Sequence, residues 1–491
     1  MSISDDTKRA GIAGKDTSIQ VNSMGAGIFP TGFLWGAGSS AYQIEGATHE
    51  DGRGMSIWDR FVTIPGAIYR GQTADIATNH YHRMEEDVAL VARLGLNSYR
   101  FSIAWPRILP EGTGVVNEKG LDFYDRLVDA LLARGISPLA TLHHWDLPVA
   151  LQDSGGWLQR DTAYAFADYA EVVARRLGDR VKWWLTHNEP WCIAYLGHSL
   201  GIHAPGIRDT QRAVIVGHHV ILSHGLAVSR LRAHSDAEAQ IGIAIDFYPV
   251  YAADNRPETL SGVERADAFR NRWFLDPIFR ASYPEHLFAD MGVAPPPVKD
   301  GDLSIIATPI DFLGVNYYSR MMVRGLAEPQ KTVGMTQARP GSSGNTQPPV
   351  VDGYEAIERV PGSSYTEMGW EIYPSGLADI LARVYREYGP KALVVTESGA
   401  AFDDQWDGNN HVHDRQRVEY LREHVGMVAR AMEQGVPVKG YVVWSLTDNF
   451  EWSEGYSKRF GLVYVDYPTQ RRIVKDSGYW YASFVASQKG V

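Results

Sequence analysis

Two glutamates stand where chemistry is expected. Glu189 lies in His187-Asn188-Glu189-Pro190 and Glu397 in Thr396-Glu397-Ser398-Gly399, each closing a short β-branched or aromatic run. Two carboxyl groups opposed across a cleft suit the hydrolysis of a glycoside. One keeps its proton and gives it to the leaving oxygen, while the other stays ionised and attacks the anomeric carbon. A lone glutamate at a strand end is more often structural, but this pair has amide and aromatic neighbours. A sugar presents several hydroxyls, each both donor and acceptor, so its site needs Gln, Asn, His and carboxylate groups around an aromatic floor. Gln43, His144, Asn188, Glu451 and Trp452 are of those types. Arg100 is placed to neutralise Glu397 and so keep a nucleophile ionised.

A metal-based chemistry is the competing reading. His143, His144, Asp146, His187, Glu189 and His203 are all possible ligands of a barrel metallohydrolase. Adjacent strand residues such as His143 and His144 point to opposite faces, however. The histidines of this set show neither H-x-H nor H-E-x-x-H spacing. No metal is therefore expected.

The elements that must position these residues recur with a regular rhythm. Strand-like runs lie at Phe33–Ala41, Ser98–Trp105, Ser137–Trp145, Lys182–Asn188, Ile241–Val250, Asp311–Tyr318, Ala392–Glu397 and Gly440–Leu446. Amphipathic stretches fall between many of them, at Tyr81–Leu94, Leu121–Arg134, Thr162–Leu177, Ala213–Ala233 and Arg415–Gln434. Strand–helix alternation argues for a parallel sheet covered by helices, and eight strands for a single (β/α)8 TIM barrel with long βα loops. A doubly wound sheet is the alternative, but no glycine-rich phosphate turn follows the first strand. In a barrel, reactive residues gather at the C-terminal ends of the strands. Seven of the eight runs end in chemistry-bearing residues: Gln43 and Glu45, Arg100, His144 to Asp146, Asn188 and Glu189, Asn316 to Tyr318, Glu397, and Trp444 leading to Glu451-Trp452.

Composition bounds the rest. The 491 residues are 44% hydrophobic and 21% charged, as expected for a globular chain with a large core. The net charge of −11 argues against nucleic acid and anionic membranes as partners. One cysteine, Cys192, excludes an intrachain disulfide and reads as a small buried side chain. No uninterrupted apolar run nears the ~18 residues that span a bilayer, and the first 25 residues lack a signal-peptide core. The expectation is a soluble, cytoplasmic protein. Residues 1–26 read as a polar extension and 27–491 as one catalytic domain, with a Gly/Pro/Ser-rich surface loop near 325–366.

The motifs together resemble glycoside hydrolase family 1, the retaining β-glucosidase group, from about Phe29 to about Phe484. The resemblance rests on Phe33-Leu34-Trp35-Gly36, Ser40-Ala41-Tyr42-Gln43-Ile44-Glu45-Gly46, Tyr99-Arg100-Phe101-Ser102 and His144-Trp145-Asp146-Leu147-Pro148. It continues with Asn188-Glu189-Pro190, Asn316-Tyr317-Tyr318, Trp370-Glu371-Ile372-Tyr373-Pro374, Thr396-Glu397 and the run Trp444 to Trp452. By that resemblance Glu189 is the general acid/base and Glu397 the nucleophile of a double displacement through a covalent glycosyl-enzyme. Gln43, His144, Asn188, Glu451 and Trp452 would hold the glycone, with Trp444 as its stacking floor. Trp145, Asn316 and Phe460 complete the substrate-binding set, and Trp370 would line the leaving-group subsite. Tyr318 and Arg100 would support the nucleophile. The expected substrate is a small β-glycoside, with terminal glucosyl, galactosyl or fucosyl residues all accommodated, and no cofactor is implied. The resemblance leaves the oligomeric state open.

Ser398 departs from the family's Thr-Glu-Asn-Gly pattern, and Asn tolerates a left-handed backbone better than Ser. A different local turn is therefore expected there. Within the family, phospho-glycosidases hold a sugar 6-phosphate, which a carboxylate at Glu451 would repel, although Lys458 lies nearby in sequence. Thioglucosidases would replace Glu189 by Gln. A non-catalytic sugar-binding relative would lack one of the two carboxylates, and both are present.

Overall fold

The computed structural model describes residues 29–326, 351 and 353–488. Eight parallel strands form a closed barrel: β1 (Leu34–Gly38), β2 (Ser98–Ser102), β3 (Ser137–His143), β4 (Trp183–Asn188), β5 (Gln240–Phe247), β6 (Phe312–Tyr317), β7 (Leu393–Ser398) and β8 (Val438–Trp444). They neighbour one another in sequence order, and β1 closes the ring by pairing with β8, Gly38 opposite Trp444. Helices follow each strand: α1 (His80–Arg93), α2 (Glu118–Leu132), α3 (Asp161–Leu177), α4 (Thr210–His234), α5 (Pro257–Asp267), α6 (Ser375–Tyr388), α7 (Arg415–Glu433) and α8 (Asp476–Gln488). The chain is thus a TIM barrel, as its strand–helix rhythm predicts.

Two apolar layers hold it together. Leu139, Leu185, Ala244, Phe312, Val394 and Val442, one from each of six strands, plug the barrel interior. A larger shell, including Leu127, Phe166, Val220, Leu381 and Val425, is buried between strands and helices. Burying each Leu, Val or Phe among them contributes about 1.5–3 kcal/mol before conformational entropy is set against it. Helix α4 is long and apolar enough, by length and composition, to cross a membrane, but 78% of its most apolar window is buried inside the fold. Its apolar residues serve the shell, while Ser229, Arg230 and Arg232 near its C-terminal end are exposed.

The sequence boundaries need adjustment at the first strand. The run predicted at Phe33–Ala41 leaves the sheet at Gly38, and Gln43 sits in a helical turn, Ala41–Ile44. Helices α6 and α8 lie outside the predicted set, as does α5, which runs on through Trp273–Arg280. The polar extension 1–26 lies outside the described residues. So does most of the surface-loop region near 325–366, although Tyr354–Ala356 forms a small sheet with Met321–Gly325 and Val250–Ala252.

Candidate active site

The strands that carry the two glutamates both lose register just before them. On β4, Leu185 pairs with Gly242 but Asn188 with Ala244, and on β7, Val395 pairs with Val315 but Glu397 with Asn316. Such irregularities re-aim side chains at a strand's end. Immediately after β4, Glu189 adopts φ 49°, a left-handed conformation that a residue with a Cβ rarely holds. Trp145 (φ 79°) and Trp452 (φ 48°) share that region, so three residues of one mouth are held in uncommon backbone conformations.

The mouth opens into a cavity of about 580 Å³. Glu189 and Glu397 both line it, together with His144, Trp145, Asn188, Tyr318, Trp370, Trp444, Glu451, Trp452 and Phe460. Three predicted residues stand one layer behind. Gln43 is fully buried and donates from Nε2 to Asn449 Oδ1 (2.9 Å), with Glu451 Oε2 at 3.4 Å. Asn316 donates to Glu189 Oε1 (2.7 Å) and Asn188 Oδ1 (3.0 Å), its own Oδ1 accepting from Thr396 (2.7 Å). Arg100 lies beneath Glu397. Within this structure Asn316 thus contacts the glutamate rather than the open cavity.

The aromatic residues build two walls. Trp444 stacks against His144 at 5.7 Å, and His144 in turn against Trp452 at 5.8 Å. Tyr318, Trp370 and Phe460 form the second group, with Tyr318 5.0 Å from Trp370 and Trp370 6.0 Å from Phe460. The indole of Trp145 donates to the carbonyl of Asn188 (2.9 Å), which fixes the end of β4.

The surroundings of the two glutamates differ in charge. Arg100 Nη1 donates to Glu397 Oε1 at 2.5 Å, and Tyr318 donates its hydroxyl proton to Oε2 at 2.6 Å. Both oxygens are thus held as acceptors. The same guanidinium reaches Asn188 Oδ1 (2.7 Å) through Nη2, tying the end of β4 to the end of β7. Glu189 has no such cation among its direct partners, which are Asn316 and the Cys192 thiol (Sγ 3.2 Å from Oε2). Burial, then the charges of Asp246 and Glu397, push its carboxyl well above the usual range. Glu451 is raised to about 8, by burial first and the charge of Glu397 second.

Several expectations resolve differently. Glu45 turns away from the mouth to Arg107 (2.9 Å) and Tyr124 (2.5 Å) and is structural. His143 and His187 face the outer shell, 3.4 Å apart and packed with Trp157 and Phe166, so the candidate metal ligands are not gathered. Spacing alone allows a cation at two other groups among the described residues: Glu189, Cys192 and Asp246, and the surface set His411, His413 and Asp476. The second contains a His-x-His pair, His411 and His413, in the connection between β7 and α7, which the strand-end residues do not point to. Ser398 ends β7 as an ordinary strand residue, so no left-handed turn is required of it. The constraint falls instead on Gly399, where a Cβ would meet the Trp444 carbonyl oxygen at 1.8 Å. Asp246 and its partner Arg270 escape sequence reasoning: β5 shows no motif, and Arg270 lies in a connecting helix.

The family model for glycosyl hydrolase family 1 matches residues 26–490. The chain belongs to glycosyl hydrolase family 1. Its similarity to individual family 1 proteins is close to end to end. Beta-glucosidase A of Acetivibrio thermocellus is 45% identical over 460 residues, covering 93% of this chain and 98% of that protein. A bifunctional beta-D-glucosidase/beta-D-fucosidase of Bifidobacterium breve is 44% identical over 474 residues, covering 94% and 98%. Among solved structures, the beta-glucosidase of Thermotoga maritima in complex with glucoimidazole superposes with a TM-score of 0.85 at 46% identity, covering 94% of this chain and 99% of that one.

Proposed function

We propose that this chain is a retaining β-glucosidase that removes terminal β-D-glucosyl residues from short oligosaccharides and aryl or alkyl glycosides. Cellobiose is the simplest natural substrate of that class. The observation that carries the reading is the unequal pair of buried glutamates. Glu397, clasped by Arg100 and Tyr318, is the carboxylate that attacks the anomeric carbon. Glu189, buried beside other carboxyl groups, is the acid that protonates the leaving oxygen. The attack forms a glycosyl ester on Glu397 as the C1–O bond breaks and Glu189 gives up its proton. Glu189 then takes a proton from water, which displaces the ester and restores both groups.

His144, Asn188 and Glu451 bring hydrogen-bonding groups to the sugar over Trp444, with Gln43 braced behind Glu451. The Bifidobacterium relative's name supports admitting fucosides beside glucosides. Lys458 gives no support to a phosphorylated substrate: its ammonium is committed to the Glu367 carbonyl (2.8 Å) and does not line the cavity. The similarity to the beta-glucosidase of Thermotoga maritima in complex with glucoimidazole supports a site that takes one terminal ring.

The test is nitrophenol release from an aryl β-D-glucoside with chelator present, comparing wild type with Glu397→Ala. Activity that survives the chelator and disappears in the variant is expected, with azide then yielding the α-glucosyl azide. A chelator-sensitive wild type, or an active Glu397→Ala, would overturn the assignment.

A further inference from the structure

Beside the acid/base lies a charged pair that the reaction as described does not use. Asp246, on β5, is buried and forms an ion pair with Arg270 Nη2 at 2.6 Å. Arg270 is buried in turn, its guanidinium 3.6 Å from the ring centre of Trp191 and 4.3 Å from that of Tyr248. Two aromatic faces and a carboxylate therefore fix the cation in place. On the near side, Cys192 sits between the carboxyl groups, its Sγ 3.2 Å from Glu189 Oε2 and 3.8 Å from Asp246 Oδ2. One ligand-type atom from each of Glu189, Cys192 and Asp246 lies within 4.8 Å of the others. Asp246 Oδ1 is buried with no hydrogen-bond partner, and Asp246, Arg270 and Cys192 all border the catalytic cavity.

An aspartate this deep needs a reason, because an isolated buried charge costs several kcal/mol. Burial pushes the Asp246 carboxyl up, and Arg270, by its charge and its hydrogen bond, pulls it back down, so of two neighbouring carboxyl groups the one with a guanidinium keeps the charge. The one without, Glu189, then keeps the proton. Groups facing Glu189 from the other packed elements do not reverse this. Glu397 on β7 is a second carboxylate, Glu451 beyond β8 is kept protonated by burial and so brings no cation, and Tyr318 after β6 is spent on Glu397. Arg100 on β2 reaches Glu189's neighbour Asn188 but is paired with Glu397, while His144, just after β3, is held neutral by burial first and Arg100 second. Tyr248, after β5, faces Arg270.

We propose that Asp246, anchored by Arg270, is a positioning residue for the acid/base: its fixed negative charge holds the proton on Glu189 until the leaving oxygen takes it. This rests on the reading of Glu189 as that acid. Asp246 exchanges no proton itself; the proton passes from Glu189 to the glycosidic oxygen as the C1–O bond breaks. The Cys192 thiol supplies a neutral spacer, and burial followed by the charge of Asp246 keeps it protonated.

The experiment is the pH dependence of kcat/KM on phenyl β-D-glucoside for wild type, Asp246→Asn, Asp246→Ser, Asp246→Glu and Glu189→Gln. Losing the charge moves the basic limb down by about one pH unit in both neutral variants, while Asp246→Glu restores most of it. On 2,4-dinitrophenyl β-D-glucoside, whose leaving group needs no proton, kcat/KM stays within ~3-fold of wild type. A limb that stays in place while activity falls evenly at every pH would overturn the proposal and leave Asp246 a structural residue. A shift in only one of the two neutral variants would overturn it equally, since the lost charge is what they share. Glu189→Gln abolishes the basic limb if Glu189 is the acid. Should that limb persist, the functional reading itself has failed, whatever Asp246 does.

Discussion

The β7 wall and the β4–β5 wall of the cavity present the same side chain in opposite settings. Glu397 accepts from a guanidinium and a phenol, whereas Glu189 accepts from an amide and a thiol beside another carboxylate. Neither wall is more buried in any useful sense: Glu397 is 3% exposed and Glu189 6%. Burial therefore does not assign their roles, and the neighbouring charges do. A cation in contact fixes a nucleophile, and an anion close by fixes an acid.

Glu397→Gln is the most severe way to break the comparison. It removes the proposed nucleophile and should cost at least ~10⁴-fold in kcat with every substrate, measured by initial rates on aryl glucosides. Glu189→Gln should be selective. A loss of about 10²–10⁴-fold is expected with phenyl glucoside, but little loss in the first step with 2,4-dinitrophenyl glucoside, whose burst remains visible by stopped flow. An equal loss on both would mean that the β4 side supplies no acid. Arg100→Gln strips the β7 wall of its cation and leaves Asn188 short of a donor. A loss of about 10²–10³-fold in kcat, with a smaller change in KM, is the expected result.

A stability effect sharpens the contrast more gently. Glu451 carries a folded-state value of about 8, above that of an unfolded glutamate, so the native state holds a proton that the unfolded chain has released. That contribution to stability is fully present at low pH and is lost as pH rises from about 4.5 to about 8. Thermal melts should therefore slope downward across that window, and Glu451→Gln should flatten the slope by a few degrees. An identical slope in the variant would place the titration elsewhere.

Much of this is legible from residue types and spacing. The strand rhythm implies the barrel, and the barrel's geometry picks out the strand ends that carry Glu189, Glu397, Asn188 and Tyr318. Arg100 stands out because a charge inside a barrel strand needs a partner. The parts that sequence does not reveal share a physical cause, which is that they depend on direction rather than on identity. Glu45 has the same type and strand-end position as its catalytic counterparts but points to Arg107. Asn316 reads as a sugar ligand until its amide is seen spent on Glu189. Asp246 and Arg270 sit on separate elements, and their pairing is created by the fold.

The most direct measurement traps the intermediate. A 2-deoxy-2-fluoro-β-D-glucosyl substrate with a good leaving group should slow release more than attack, leaving the sugar on the enzyme for peptide mass spectrometry. A label on the carboxylate of Glu397, formed with one equivalent of leaving group, is the expected result. A label on Glu189, or turnover with no trapped ester, would contradict the division of labour between the two walls.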